Sequence, residues 1–299
     1  MVGSAVALEA TARGNEVIGR SSSDLDLTLR AEVFKELTNT RPDALVIAAA
    51  KVGGIGANSA FPVDFLSVNL QIQTNLLDAA HVAGIERVLF LGSSCIYPKL
   101  APQPIKESAL LTGELEPTNE PYAIAKIAGL KLVAAYRRQF KHKWISAMPT
   151  NLFGPRDNFD LETAHVLPAL IHRLHKAKFA EAHSVEIWGD GTPLREFLHV
   201  EDLARATLDL LNNYDDLVAI NVGSGQEISI KDLAALVAKV VGFTGEIAFN
   251  PDRPNGTPRK LLDSSLITEF GWKPQISLET GIASTYDWFL RHHHKEPVI

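Results

Sequence analysis

Tyr122 and Lys126 stand four positions apart in the run Pro121-Tyr122-Ala123-Ile124-Ala125-Lys126, a spacing that puts both side chains on one face of a helix. Such a pair suits proton transfer. A free phenol has a pKa of roughly 10, a proton donor works best near the operating pH, and a fixed positive charge beside the phenol favours phenolate. Pro121 fits a first helical turn, where its missing N–H costs nothing, so Tyr122 is expected at the helix entrance. Upstream, Val88-Leu89-Phe90-Leu91 reads as a short buried strand followed directly by Gly92-Ser93-Ser94, which places hydroxyls at a strand's C-terminal edge. Taken alone, Tyr-x-x-x-Lys also describes an amphipathic helix with a snorkelling lysine. The strand and the serines give the pair its chemical reading.

The elements that position these groups alternate. Residues 4–13 read as a helix, Glu16-Val17-Ile18-Gly19 as a strand, and Asp43-Ala44-Leu45-Val46-Ile47-Ala48-Ala49-Ala50 as a buried strand. Helical periodicity covers residues 64–83 and 122–140, and Trp144-Ile145-Ser146-Ala147-Met148 is a further strand. This order predicts an α/β fold, a Rossmann-like doubly wound parallel sheet. After Gly154 the alternation becomes irregular, as in a smaller C-terminal α+β unit. There, His165 to Ala177 reads as a helix, Val185-Glu186-Ile187-Trp188 as a strand, Gly189-Asp190-Gly191 as a turn and Ala219-Ile220-Asn221-Val222-Gly223 as another strand. Ser229 is expected to cap a helix, with Asp232 beside its N-terminal dipole.

Composition narrows the partners. The chain has 299 residues, 46% apolar and 21% charged, with a net charge of −6, a globular composition whose charge argues against nucleic acid. No apolar run approaches the roughly 18 residues of a membrane span, and the apolar opening lacks the basic flank of a signal peptide. The single Cys95 excludes an intramolecular disulfide and fits a reducing, cytoplasmic setting.

Four segments carry a family resemblance: Ala48-Ala49-Ala50-Lys51-Val52-Gly53-Gly54-Ile55, Leu91-Gly92-Ser93-Ser94-Cys95-Ile96-Tyr97-Pro98-Lys99, Glu116-Pro117-Thr118-Asn119-Glu120-Pro121-Tyr122 and Met148-Pro149-Thr150-Asn151-Leu152. Strand, Ser-Ser and Tyr-x-x-x-Lys follow the active-site order of the extended short-chain dehydrogenase/reductases. The segments resemble, within them, the GDP-L-fucose synthase family, from Met1 to about Trp288. The resemblance implies a bifunctional 3,5-epimerase and NADPH-dependent 4-reductase acting on GDP-4-dehydro-6-deoxy-D-mannose. A C4 ketone acidifies the hydrogens on C3 and C5 and also accepts hydride, so one pocket serves both steps. Ser93 is implied to hydrogen-bond O4, Tyr122 to protonate O4, and Lys126 to tune Tyr122 and bind the nicotinamide ribose. Cys95, two residues beyond Ser93, and His165, at a helix start, match the family's carbon base and acid. Their plainer readings are a packed cysteine and a solvated helix-end histidine.

Other positions follow from the same match. Arg195 is the candidate for the diphosphate through its guanidinium fork, helped by Arg173, while Trp188 and Asp263 are substrate contacts whose alternatives are a core tryptophan and a helix cap. NADP(H) is the expected cofactor, because Arg20-Ser21-Ser22-Ser23 stands where an acidic residue would select NAD. Its contacts are expected at Gly3, Arg20, Ser22, Asp26 and Leu27, at Leu91, Gly92, Ser93 and Ser94, at Lys126, at Pro149, Thr150, Asn151 and Leu152, and at His165. No metal is assigned. The chain opens at what resembles the last glycine of the family's phosphate loop, so the first strand and the start of that loop are expected to be missing. Residues 1–155 with about 196–223 are expected to bind NADP, and about 156–195 with 224–299 to bind the GDP-sugar. The two long helices match the family's homodimer interface. The competing readings are another nucleotide-sugar epimerase or reductase of this fold, or a non-catalytic NADP-sensing protein.

Overall fold

A computed structural model describes residues 1–252 and 255–293. The chain opens with α1 (Val2–Ala12), α2 (Arg30–Thr40), β1 (Ala44–Ile47), α3 (Ile55–Ala60), α4 (Pro62–Ala83), β2 (Arg87–Leu91), α5 (Glu120–Phe140) and β3 (Lys143–Pro149). It continues through β4 (Asn151–Phe153), α6 (Val166–Phe179), β5 (Ser184–Trp188), β6 (Leu194–His199), α7 (Val200–Asn213) and β7 (Ile220–Val222). Then come β8 (Glu227–Ser229), α8 (Ile230–Val241), β9 (Glu246–Asn250), β10 (Arg259–Lys260), α9 (Ser265–Glu269) and α10 (Leu278–His293).

The first sheet is parallel in the order β1-β2-β3-β7, and the alternation of side chains explains why its strands read as unbroken apolar runs. Val88 and Phe90 of β2, with Trp144 and Met148 of β3, join a core built with α2, α4 and α5. Leu89, Leu91, Ile145 and Ala147 face the opposite core, built with α1 and α7 and closed by Ile267 and Trp272. Both faces are thus covered. The long helix α5 approaches the sheet closely because it carries Gly129, where an added Cβ would lie 2.5 Å from Phe90 and 2.6 Å from Gln73. Gln73 is itself buried and donates to the Ala125 carbonyl at 2.6 Å, tying α4 to α5.

The expected strand at 16–19 does not form; those residues belong to no regular element. Among the described residues β1 is paired on one side only, with β2; residues 16–19 form no ladder on its free edge, and Val17 and Ile18 stay exposed. The same lack of a second neighbour trims the strand expected at 43–50 to Ala44–Ile47, of which only Ile47 is buried.

At Pro149 the chain leaves the parallel sheet and at Asn151 enters a second one, ordered β10-β6-β4 with β8 antiparallel on β6. A third core joins Phe153, Phe159 and Phe197 to α6, α8 and α10. Ser229 caps α8 as expected, its hydroxyl accepting from the Asp232 N–H at 3.0 Å, and Gly189 and Gly191 make their turn at positive φ. No helix among the described residues is long and apolar enough to cross a membrane.

Candidate active site

Because the strands of the first sheet run parallel, β1, β2, β3 and β7 all end on one edge, and the polar residues that follow them share a cleft. After β2 the chain makes a tight 3₁₀ turn over Ser94–Ile96, capped by the Ser93 hydroxyl, which accepts from the Cys95 N–H at 3.2 Å. This bond fixes Cys95 relative to Ser93. Tyr122, in the first turn of α5, is half-buried, with its ring edge-on to the buried Phe65 at 6.4 Å. Burial pushes the Tyr122 phenol above its ordinary pKa, the nearby Cys95 charge adds to that, and a hydrogen bond with Ser93 opposes it. Lys126 is 3% exposed. Its ammonium donates to the Leu91 carbonyl at 2.8 Å and lies 4.8 Å from the Phe90 ring and 6.0 Å from the Tyr122 ring.

The ammonium expected to tune this phenol thus stands 6.0 Å from its ring. Burial lowers the Lys126 ammonium to about 8, and one of its donors goes to the Leu91 carbonyl. With burial raising its pKa, the phenol is protonated at neutral pH, the form a proton donor needs.

The other side of the cleft is assembled from distant segments. Cys95 is half-buried, and the Lys260 ammonium reaches its Sγ at 3.3 Å. Lys260 is the parallel register partner of Arg195. Burial lowers the Arg195 guanidinium, and the Cys95 charge partly restores it. His165 is the N-cap residue of α6 without capping through its ring. His165 is exposed, yet the protein around it strips enough water to hold its pKa below the usual histidine range, with Lys260 as the second cause. The loop after β1 closes against this region: Gly54 donates to the Thr163 carbonyl at 3.0 Å, and a Cβ on Gly54 would meet the Ala164 carbonyl at 2.9 Å.

Lys260 was not among the residues expected from sequence, although it sits in Arg259-Lys260-Leu261-Leu262-Asp263 beside Asp263. Asn221 was missed as well. Fully buried on β7, it accepts from the Tyr97 hydroxyl at 2.6 Å and donates to the Ile105 and Asp263 carbonyls, so it ties the turn after β2 to the segment after β10. The Asp263 carboxylate accepts from the Ser265 N–H at 2.9 Å just before α9, whose N-cap residue is Ser264. Trp188 is 54% exposed and therefore no core tryptophan; Arg173 lies 5.7 Å from its ring.

The two ends of a dinucleotide meet different surroundings. Around Lys126 the fit is good: Leu91, Gly92, Ser93 and Ser94 line the end of β2, and one of three ammonium donors is taken by Leu91, leaving others for a ribose hydroxyl. Pro149, Thr150, Asn151 and Leu152 form the switch between sheets, with Asn151 donating to the Glu196 carbonyl at 2.8 Å. The phosphate end is looser. Arg20 pairs with Glu36 at 2.8 Å, Ser22 is exposed, and Asp26 is engaged with the Thr28 N–H and hydroxyl. The Leu27 carbonyl accepts from Asn75 at 3.0 Å, and Gly3 lies in the first turn of α1 with open space around it.

The sequence profile of the NAD dependent epimerase/dehydratase family matches residues 1–223. The chain belongs to this family. Among curated family members it is similar to GDP-L-fucose synthase 1 of Arabidopsis thaliana, at 54% identity covering 98% of this chain and 91% of that protein. It is also similar to the GDP-L-fucose synthase of Escherichia coli, at 48% identity covering 99% and 95%. Among solved structures, a GDP-L-fucose synthetase from Naegleria fowleri bound to NADP superposes with a TM-score of 0.90 at 27% identity, covering 98% of this chain and 92% of that one. A GDP-6-OMe-4-keto-L-xylo-heptose reductase from Campylobacter jejuni gives 0.91 at 31% identity, covering 97% and 94%.

Proposed function

We propose that this member of the epimerase/dehydratase family carries the activity its relatives are named for, converting GDP-4-dehydro-6-deoxy-D-mannose to GDP-L-fucose by 3,5-epimerisation and NADPH-dependent 4-reduction. The observation that supports this best is the grouping of Ser93, Tyr122 and Cys95, with His165 coupled to Cys95 through Lys260, in a chain about half identical to GDP-L-fucose synthases. NADPH, when bound, supplies the hydride for C4. Tyr122, kept protonated by burial, gives its proton to O4, and Ser93 hydrogen-bonds the same oxygen. Lys126 braces the end of β2 through Leu91 and offers its remaining donors to the nicotinamide ribose. Cys95 removes the C3 and C5 protons, each electron pair delocalising onto O4, and His165 returns a proton to the other face.

Gly3, Arg20, Ser22, Asp26, Leu27, Leu91, Gly92, Ser93, Ser94, Lys126, Pro149, Thr150, Asn151, Leu152 and His165 hold the cofactor in this reading. Arg195, Arg173, Trp188 and Asp263 take the GDP-sugar; the solvent-open Trp188 ring beside Arg173 suits a planar base. Residues 1–155 with about 196–223 form the cofactor unit and the remainder the substrate unit, α9 and Trp272 leaning on the former. A cytoplasmic homodimer joined through α4 and α5 fits the exposed Val63, Val82, Ile124 and Phe140 on those helices.

The test is incubation of the chain with GDP-4-dehydro-6-deoxy-D-mannose and NADPH in heavy water. The expected outcome is loss of nicotinamide absorbance with deuterium at C3 and C5 of a GDP-L-fucose product. NADPH consumption without carbon exchange would leave a simple 4-ketoreductase, and neither signal would leave a non-catalytic binder. In Cys95→Ser the exchange should nearly vanish, since an alcohol is a far weaker base than a thiolate.

A further inference from the structure

We propose that Lys260 is a positioning residue for the epimerisation half of the reaction, pairing through its ammonium with the Cys95 sulfur so that the thiolate needed for carbon-proton abstraction is stabilised. The inference rests on the reading of Cys95 as the carbon base. Its own ground is geometric. The Lys260 Nζ lies 3.3 Å from Sγ across 165 residues of sequence, and both partners are held by their backbones. The Cys95 N–H is bound to Ser93. Immediately after Lys260, the Leu261 N–H donates to Gln103 at 2.9 Å, the Leu262 N–H donates to buried Glu196 at 3.1 Å, and the Leu261 carbonyl accepts from Ile105 at 2.8 Å. A flexible surface lysine reaching a sulfur by chance has no such frame. Register with Arg195 on β6 sets a second cation beside the first.

Among the described residues, the charged and titratable groups that act on Cys95 are Lys260 on β10, Arg195 on β6 and Tyr122 on α5, and His165 at the start of α6 is coupled to Lys260. Two fixed cations against one sulfur favour the anion. The same ammonium disfavours a second positive charge on His165, whose pKa is lowered by burial and then by Lys260. One cation therefore eases loss of the thiol proton and makes the His165 imidazolium a stronger acid, as suits a group that returns a proton to carbon. In the step itself the carbon-bound proton moves to Sγ, the C–H electron pair becomes the enolate on O4, and the ammonium keeps its protons.

The single cysteine makes the test direct, because iodoacetamide can alkylate no other thiol in the full chain. Lys260→Met should slow alkylation about tenfold at pH 7, the low end expected for removing an adjacent opposite charge, and the two rates should converge at pH 10. Lys260→Arg should restore most of the pH 7 rate, and carbon exchange in heavy water should follow the same order. Equal rates at pH 7 would overturn the proposal, as would slowing of equal size at both pH values, which marks altered access rather than charge. The parent reading fails separately: normal exchange in Cys95→Ser removes Cys95 as base while leaving the alkylation result to report on the ion pair.

Discussion

Ser93, Tyr122 and Lys126 come from one strand end and one helix packed directly on it, whereas Cys95, His165, Arg195 and Lys260 reach the same cleft from the turn after β2, the start of α6, and two strands of the second sheet. The first group is locked by buried contacts: Lys126 on the Leu91 carbonyl, Gln73 on the Ala125 carbonyl, Phe65 on the Tyr122 ring. The second depends on pairing between β6 and a two-residue strand, β10, on backbone bonds to the buried Glu196, and on charge. One half of the cleft is thus set by packing, the other by electrostatics across chain segments. If so, each half should respond to its own kind of perturbation.

The largest separation is expected from Tyr122→Phe. Removing the proton donor should cut NADPH oxidation by about 10²–10⁴-fold, the usual contribution of a general acid, while C3 and C5 exchange persists, slowed only by weaker stabilisation of the enolate. Absorbance and proton NMR on one sample measure both. Equal loss of the two signals would mean that the halves act as a unit and that the comparison does not hold.

The same contrast explains what the sequence made legible. Tyr122 and Lys126 are neighbours on one helix turn, and Ser93 follows a strand whose unbroken apolar run announces burial on both faces, so local pattern sufficed for the packed half. Lys260 lies 165 residues from the sulfur it touches, and a lysine within Arg259-Lys260-Leu261-Leu262-Asp263 looks like any surface cation until register places it. Asn221 was invisible for the same reason: its partners at Tyr97, Ile105 and Asp263 come from three separate segments. The expected strand at 16–19 failed for a complementary reason, since strand propensity is local and a ladder partner is not. The 6.0 Å between the Lys126 ammonium and the Tyr122 ring follows from their helical spacing, whereas the burial that acts on both groups depends on neighbours the spacing does not name.

An intermediate effect is expected from Gly129→Ala, which probes the packed half alone. A Cβ there would press on Phe90 and Gln73, both buried, and Phe90 underlies the Lys126 ammonium. Overpacking of this kind costs about 1–3 kcal/mol, and the roughly 1 kcal/mol gained by replacing a helical glycine offsets part of it. The urea midpoint should fall and NADPH oxidation should fall with it, while the iodoacetamide rate of Cys95 stays near that of the parent chain. A stability equal to the parent would show that α5 can shift on the sheet, and that the first half is less rigid than its contacts suggest.

The smallest effect belongs to the charge-governed half, in the loop between β4 and His165. Burial raises the Asp157 carboxyl to about 6, against the lowering effect of the Asn158 N–H that its Oδ1 accepts at 2.8 Å, while its Oδ2 is buried without a partner. A carboxyl whose folded pKa lies above its unfolded value weakens the fold when ionised. The penalty is therefore full above pH 6, shrinks as pH falls through 6, and is gone below the ordinary carboxylate value of about 4. A shift of about two units corresponds to nearly 3 kcal/mol at most, and partial solvent contact of the side chain reduces that to about 1 kcal/mol. Asp157→Asn should then stabilise the chain by about that amount at pH 8, with the gain roughly halved at pH 5, as read from urea unfolding at the two pH values. Gly129→Ala should show no comparable pH dependence, because steric pressure does not titrate. A gain at Asp157→Asn that is the same at both pH values would assign this loop to packing as well, and charge would then be confined to the contacts of Cys95.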